Sequence, residues 1–241
     1  MKQVHMVLQG KGGVGKSLVS TLLAQYLASK GDLPACIDTD PINATFAGYK
    51  ALDVQHLELL ADNRIQARSF DAMMERILDE DRHFVIDNGA SSYLPLTSYL
   101  IENDVPAMIA ENGKELVVHT IVTGGANLLD NVASFAALAE QLPVPAKLIV
   151  WENSFFGPVE MDGKSFESMR AYEANKKRVS AIIKLERFES DTIREDLEYL
   201  FKNKLTFNEA VEASSGLGIM PRQRVKQVRK VWFDLLTQAA I

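Results

Sequence analysis

The run Gly10-Lys11-Gly12-Gly13-Val14-Gly15-Lys16-Ser17 constrains this chain more than any other stretch in it. It follows Val4 to Leu8, an apolar run too short for a helix, and precedes Leu18 to Leu27, where apolar residues recur at helical spacing. Strand, glycine-rich turn and helix form the setting in which G-x-x-x-x-G-K-[ST] holds phosphate, and every specified position is filled. Glycines at 10, 12, 13 and 15 are expected to free the backbone, so that successive N–H groups point at phosphate oxygens. The helix beginning near Lys16 adds its positive dipole end. Lys16 is expected on the β- and γ-phosphates and the Ser17 hydroxyl on Mg²⁺. Gly12, Gly13, Val14, Gly15, Lys16, Ser17 and Leu18 are therefore the expected nucleotide contacts.

Downstream, the helix from Ser17 to Lys30 closes at Gly31, and a short strand from Pro34 to Ile37 runs into Asp38-Thr39-Asp40-Pro41. Strand, helix, strand at this spacing implies a right-handed crossover and a mostly parallel sheet. The expected fold is α/β: a three-layer phosphate-loop fold, helices on both faces of the sheet, with residues 1–241 as a single domain. Asp38 and Asp40 then fall at the carboxyl edge, where open α/β sheets bind ligands. Phe84-Val85-Ile86-Asp87 repeats the pattern, an apolar strand ending in a carboxylate suited to hold Mg²⁺ beside Ser17.

Further expected elements are a helix over Arg64 to Leu78, strands over Val54 to Leu60, Val105 to Ala110, Glu115 to Val122, Lys147 to Trp151 and Val179 to Leu185, and a helix over Asn127 to Leu142. Lys164 to Lys177 reads as polar and helical. Phe155-Phe156-Gly157-Pro158 reads as an aromatic turn that covers the sheet edge, with flanking the base as the lesser alternative. In Arg222 to Ile241, Val225, Val228, Trp232, Leu235 and Leu236 share one helix face. Docking on the core is expected of that helix, with contact to a membrane surface or a protein partner as the lesser alternative.

Lys11 sharpens the picture. With it, the loop resembles the K-G-G-x-G-K-[ST] of the deviant Walker A ATPases, the ParA/MinD group. That resemblance implies a Mg²⁺-dependent ATPase switch whose ATP-bound form is a homodimer, with Lys11 reaching the partner's phosphates. It also implies that Asp40 orients or activates the attacking water, that Asp38 supports the metal side, and that Asn153, after a late strand, reads adenine. Arg187 to Ile193 would border the base. Asn88-Gly89-Ala90-Ser91-Ser92 departs from the D-x-P-P common in the wider group, but together with His5 to Gly10 and Cys36 to Pro41 it resembles the TraL-type conjugal-transfer family. The implied role is a cytoplasmic accessory of plasmid conjugation with a protein partner in that machinery.

Composition narrows the remaining classes. Lysine and arginine number 26 against 32 acidic residues, a net charge of −6, so no strong nucleic-acid signal is present. Cys36 is the single cysteine: it allows no internal disulfide, and it cannot supply the pair used by iron–sulfur relatives. His5, His56, His83 and His119 lack metal-ligand spacing and are read as non-ligands. The chain enters its first strand without an apolar signal region, and no apolar run approaches the length of a membrane span. Two other readings stay open: a noncatalytic nucleotide-gated interaction module, and an ATP-dependent ligase or amidase of the same fold.

Overall fold

Val4 to Val7, Ala35 to Asp38 and Phe84 to Asp87 are buried at every residue, as strands require in the middle of a parallel sheet covered on both faces. The computed structural model describes residues 1–61 and 64–241. β1 (Gln3–Val7) enters the glycine loop and α1 (Lys16–Ser29), followed by β2 (Ala35–Asp38) and the short β3 (Gln55–His56). β4 (Leu60–Ala61) pairs with β5 (Arg64–Ile65) before α2 (Asp71–Asp79) and β6 (Phe84–Asp87). Next come α3 (Tyr93–Glu102), α4 (Val105–Glu111), β7 (Glu115–Thr123), α5 (Leu128–Gln141) and β8 (Lys147–Asn153). A hairpin of β9 (Glu160–Met161) and β10 (Lys164–Ser165) leads to α6 (Arg170–Asn175) and β11 (Val179–Leu185). The chain ends in α7 (Asp191–Lys202), α8 (Phe207–Val211) and α9 (Ile219–Gln238).

Seven strands form the central sheet in the order β11-β8-β7-β1-β6-β2-β3, and each pairing within it is parallel. The chain first builds from β1 toward β2 and later from β7 toward β11, so the strand order reverses beside β1. Such a reversal opens a crevice at the carboxyl ends. Alternate residues divide the core: Val4, Met6 and Ile86 pack toward α2 to α5, whereas Val7, Val85 and Trp151 pack toward α1, α7, α8 and α9.

Four expectations change. Val105 to Ala110 is the helix α4 rather than a strand; Pro106 sits in its first turn, where a missing N–H costs nothing, and Val105 and Ile109 are buried one turn apart. Lys164 to Lys177 opens with β10, because Asp162 and Gly163 both adopt positive φ (51° and 71°) and fold β9 onto β10. Only Arg170–Asn175 of that stretch is α-helix. The helix expected from Arg64 begins at Asp71 and buries Met73, Met74 and Ile77. Val54 to Leu60 yields only β3 and the start of β4.

In α9, Val225, Val228, Trp232 and Leu236 are buried against the sheet and neighbouring helices. Each buried valine or leucine stabilises that docking by roughly 1.5–3 kcal/mol, so the face a membrane would need is spent on the core. Among the described residues no helix is long and apolar enough to cross a membrane.

Candidate functional site

β1 delivers the chain to the crevice and α1 takes it away. Gly13 and Gly15 have φ of 76° and 106°, in the left-handed region closed to most side chains. Gly10 and Gly12 do not; the need at Gly10 is space, since a Cβ there would lie 3.0 Å from the Tyr93 ring. Conformational freedom is thus required at two of the four glycines rather than all. α1 has no side-chain cap and no acidic residue in its first turn, which leaves its leading N–H groups to an anion.

Lys16 is 8% exposed and donates from Nζ to the Lys11 carbonyl at 2.8 Å. Burial holds its ammonium below the ordinary lysine range, while Asp87 and Asp40 pull the other way. Asp87, at the tip of β6, accepts a hydrogen bond from the Ser20 hydroxyl at 2.9 Å, and the Ser17 hydroxyl lies near enough to favour its charged form. Burial pushes its carboxyl up to about 7, and the neighbouring Asp38 adds to that shift. A buried carboxylate so displaced favours a cation beside it. Asp38 stands opposite Asp87 across the β2–β6 ladder. Its oxygens accept from the Asp40 and Ala47 amides at 2.9 Å each, so it shapes the following loop. Burial raises its carboxyl also.

Asp40 Oδ1 accepts from the Ile42 and Asn43 amides at 2.9 and 3.0 Å, which leaves Oδ2 open. The loop after β6 presses against it: a Cβ on Gly89 would fall 2.7 Å from Asp40 Cγ and 2.9 Å from its Cα. The buried Asn88 amide oxygen accepts from Thr39 Oγ1 at 3.1 Å and Ser92 Oγ at 2.7 Å. Here the D-N-G-A-S departure has its physical meaning, a polar clamp joining the ends of β2 and β6 to the start of α3.

Lys11 pairs with Asp130 of α5 at 2.9 Å within the same chain. Asn153 lies at the tip of β8 behind the loop; its amide nitrogen donates to Val14 O at 2.9 Å and its oxygen accepts from Phe155 N at 3.1 Å. The amide therefore holds the loop first, with one N–H and one lone pair left for a ligand.

A cavity of about 550 Å³ brings Gly12, Gly13, Gly15, Lys16, Ser17, Leu18 and Asp40 together. Beside it an apolar slot of about 240 Å³ is walled by Asn153, Phe155, Phe156, Phe188, Leu197 and Trp232, with Arg187 at its edge. Gly13, Gly15, Leu18 and Phe201 border both. Phe155 and Phe156 are 57% and 49% exposed at this slot instead of covering the sheet edge. Tyr49, Phe201 and Lys204 also line the larger cavity and went unseen in the sequence, where they carry no motif. Among the described residues no cluster of three or more His, Cys, Asp or Glu side chains forms a metal cage. Magnesium needs none when a hydroxyl, one carboxylate, phosphate oxygens and water complete its shell, and Ser17 with Asp87 fits that donor set.

A family model described as the CobQ/CobB/MinD/ParA nucleotide binding domain matches residues 5–200. The chain belongs to this family. Two Escherichia coli proteins named TraL are 52% and 51% identical to it over 241 residues, covering each chain in full. Among solved structures, the septum site-determining protein MinD from Pyrococcus horikoshii, complexed with Mg-ADP, aligns with a TM-score of 0.53 at 15% identity, covering 99% of both chains. The MinC:MinD cell division complex of Aquifex aeolicus aligns at 0.51 and 16% identity over 95% of this chain and 96% of the other. At such identities the likeness establishes the fold, and the CobQ/CobB/MinD/ParA core is recognised in the parallel sheet and the loop between β1 and α1.

Proposed function

We propose that this family member is a Mg²⁺-dependent ATP-binding and ATP-hydrolysing switch that dimerises on ATP and serves plasmid conjugal transfer through a protein partner. The observation that carries the reading is the meeting of Lys16, Ser17 and Asp40 at one crevice beside an apolar slot, with the buried Asp87 carboxyl close behind Lys16 and Ser17. Phosphoryl transfer asks little covalent chemistry of a protein, so positioning and charge neutralisation do most of the work.

In this scheme the loop amides and Lys16 hold the phosphates, and Ser17 and Asp87 hold Mg²⁺, with Asp38 fixing the loop that carries Asp40. The metal, when bound, neutralises charge on the phosphate oxygens. Asp40 Oδ2 orients the water, since Oδ1 is already held by two amides. Adenine enters the apolar slot, where the spare N–H and lone pair of Asn153 can meet its edge. Lys11 leaves Asp130 for the phosphates of a second copy. The MinD complexes with Mg-ADP and with MinC, and the TraL relatives, support the nucleotide and the partner by similarity.

Sedimentation of the purified chain without nucleotide, with ADP and with ATP, together with phosphate release by wild type and Asp40→Ala, tests the reading. An ATP-dependent dimer with hydrolysis lost in Asp40→Ala is expected. Equal hydrolysis in both proteins, or one sedimenting species under all three conditions, would remove the catalytic switch.

A further inference from the structure

Lys204 stands where a lysine is out of place. α7 ends with Leu205 N bonded to Leu200 O and Lys204 N to Phe201 O, a termination whose turning residue adopts left-handed φ and is usually glycine. That residue is Lys204, at φ 54°. A side chain in this region carries strain, and such strain persists where something else holds it, often function.

Its side chain follows a set course. The stem crosses Gly48, where an added Cβ would come within 3.2 Å of Lys204 Cγ. Nζ lies over the Tyr49 ring, 5.6 Å from the centroid. Among the described residues it makes no hydrogen bond or ion pair, although it lines the larger cavity with Lys16, Ser17 and Asp40. Phe201, one turn earlier on the same side of α7, borders both that cavity and the apolar slot. Residues 201 to 204 thus run from the slot to the larger cavity that the glycine loop also lines.

We infer that Lys204 is a second cationic contact, from the same chain, to the phosphates of the bound nucleotide. The inference rests on the nucleotide reading above and adds a residue from the carboxyl-terminal part of the chain to the site. Lys16 holds the phosphates from the loop side and Lys204 from the α7 side. Nucleotide occupancy then bears directly on the end of α7, which packs with α9.

Calorimetric titration of wild type, Lys204→Met, Lys204→Arg and Lys204→Gly with ATP, ADP and adenosine tests this. Met keeps the stem and removes the charge; Gly relieves the backbone. ATP and ADP should bind roughly tenfold more weakly to the Met and Gly variants, as for loss of one charge-assisted contact. Adenosine should be unaffected, Arg should retain affinity, and the Gly variant should melt no lower than wild type. ATP affinity unchanged in Lys204→Met overturns the inference, as does an equal loss for adenosine, which would mean a deformed wall. Wild type that binds no ATP defeats the nucleotide reading itself, and this inference with it.

Discussion

Two groups of buried polar side chains lie on the same face of the central sheet, and they are built on opposite principles. At the carboxyl edge, Lys16, Asp38 and Asp87 are displaced by burial; Lys16 opens on the larger cavity with Asp40, and the two buried carboxyls lie behind it. Toward the middle of the strands, Trp151 Nε1 donates to His119 Nδ1 at 3.0 Å, and His119 Nε2 meets His5 Nδ1 at 3.0 Å. The tryptophan can only donate, so it fixes the proton of His119 on Nε2 and that of His5 on its own Nε2. The chain is neutral and nearly closed; only the His5 Nε2 hydrogen lacks a partner. Burial of titratable groups therefore does not mark a site by itself. What separates the two is access to a crevice and charge left for a ligand to complete.

The largest expected effect breaks the neutral row. His119→Ala leaves the Trp151 N–H and His5 Nδ1 unpaired in the core and should cost on the order of 3–5 kcal/mol in urea denaturation. The variant that remains folded should bind ATP as wild type does. A loss of affinity without a loss of stability would place the histidines in the site and dissolve the contrast.

Next in size is Lys16→Ala. It removes a charge-assisted phosphate contact of roughly 1.5–3 kcal/mol, so ATP affinity by calorimetry should fall at least tenfold while melting temperature changes little. Removing a partly desolvated ammonium also relieves a burial cost. Unchanged affinity would mean that the crevice does not take phosphate through this lysine.

Acid sharpens the contrast by sign. Burial holds His5 down at about 3, with His83 adding to the shift, and His119 well below the usual imidazole range. Folded, both stay neutral; below the unfolded value of about 6.5 the unfolded chain takes up protons that the folded one refuses. Their contribution is intact above that value and is lost as pH falls toward 3, at about 1.4 kcal/mol per pH unit for each ring. Asp87, raised to about 7, has the opposite slope, as do Asp38 and Glu152, both raised by burial, while His83, lowered by burial, adds to the two imidazoles. In Asp87→Asn, which removes the most displaced of the opposing carboxyls, unfolding free energy should drop by about 1–2 kcal/mol per unit between pH 6 and 5. A flat profile would show that the row is hydrated and titrates normally.

The same contrast explains what was legible in the sequence. Lys16, Ser17, Asp40 and Asp87 follow glycines or end apolar strands, so local pattern placed them, and the parallel sheet brought them to one edge. Asn88 was visible only as a departure; its clamp between β2 and α3 depends on contacts across strands. Tyr49, Phe201 and Lys204 reach the crevice from distant loops and helix ends, where nothing nearby in the chain distinguishes them from ordinary packing. α4 was missed because an apolar run of that length suits a strand or a helix equally, and Pro106 was the signal that separates them. The β9–β10 hairpin had its Asp162-Gly163 signal too, overridden by the polar stretch after it.

Lys11 carries the smallest effect on the folded chain and the sharpest test of the charged edge. Its pair with Asp130 has side chains 42% and 64% exposed, so it contributes about 0–1 kcal/mol and releases easily. Neither Lys11→Ala nor Asp130→Ala should move the melting temperature by more than a few degrees. In sedimentation with ATP the two should part: Lys11→Ala loses the dimer, because no cation reaches the second copy's phosphates, and Asp130→Ala keeps it, because the lysine is merely freed. If both variants lose the dimer equally, the ion pair itself shapes the interface and Lys11 acts within its own chain. If both keep it, the charged edge is completed by nucleotide alone and needs no partner.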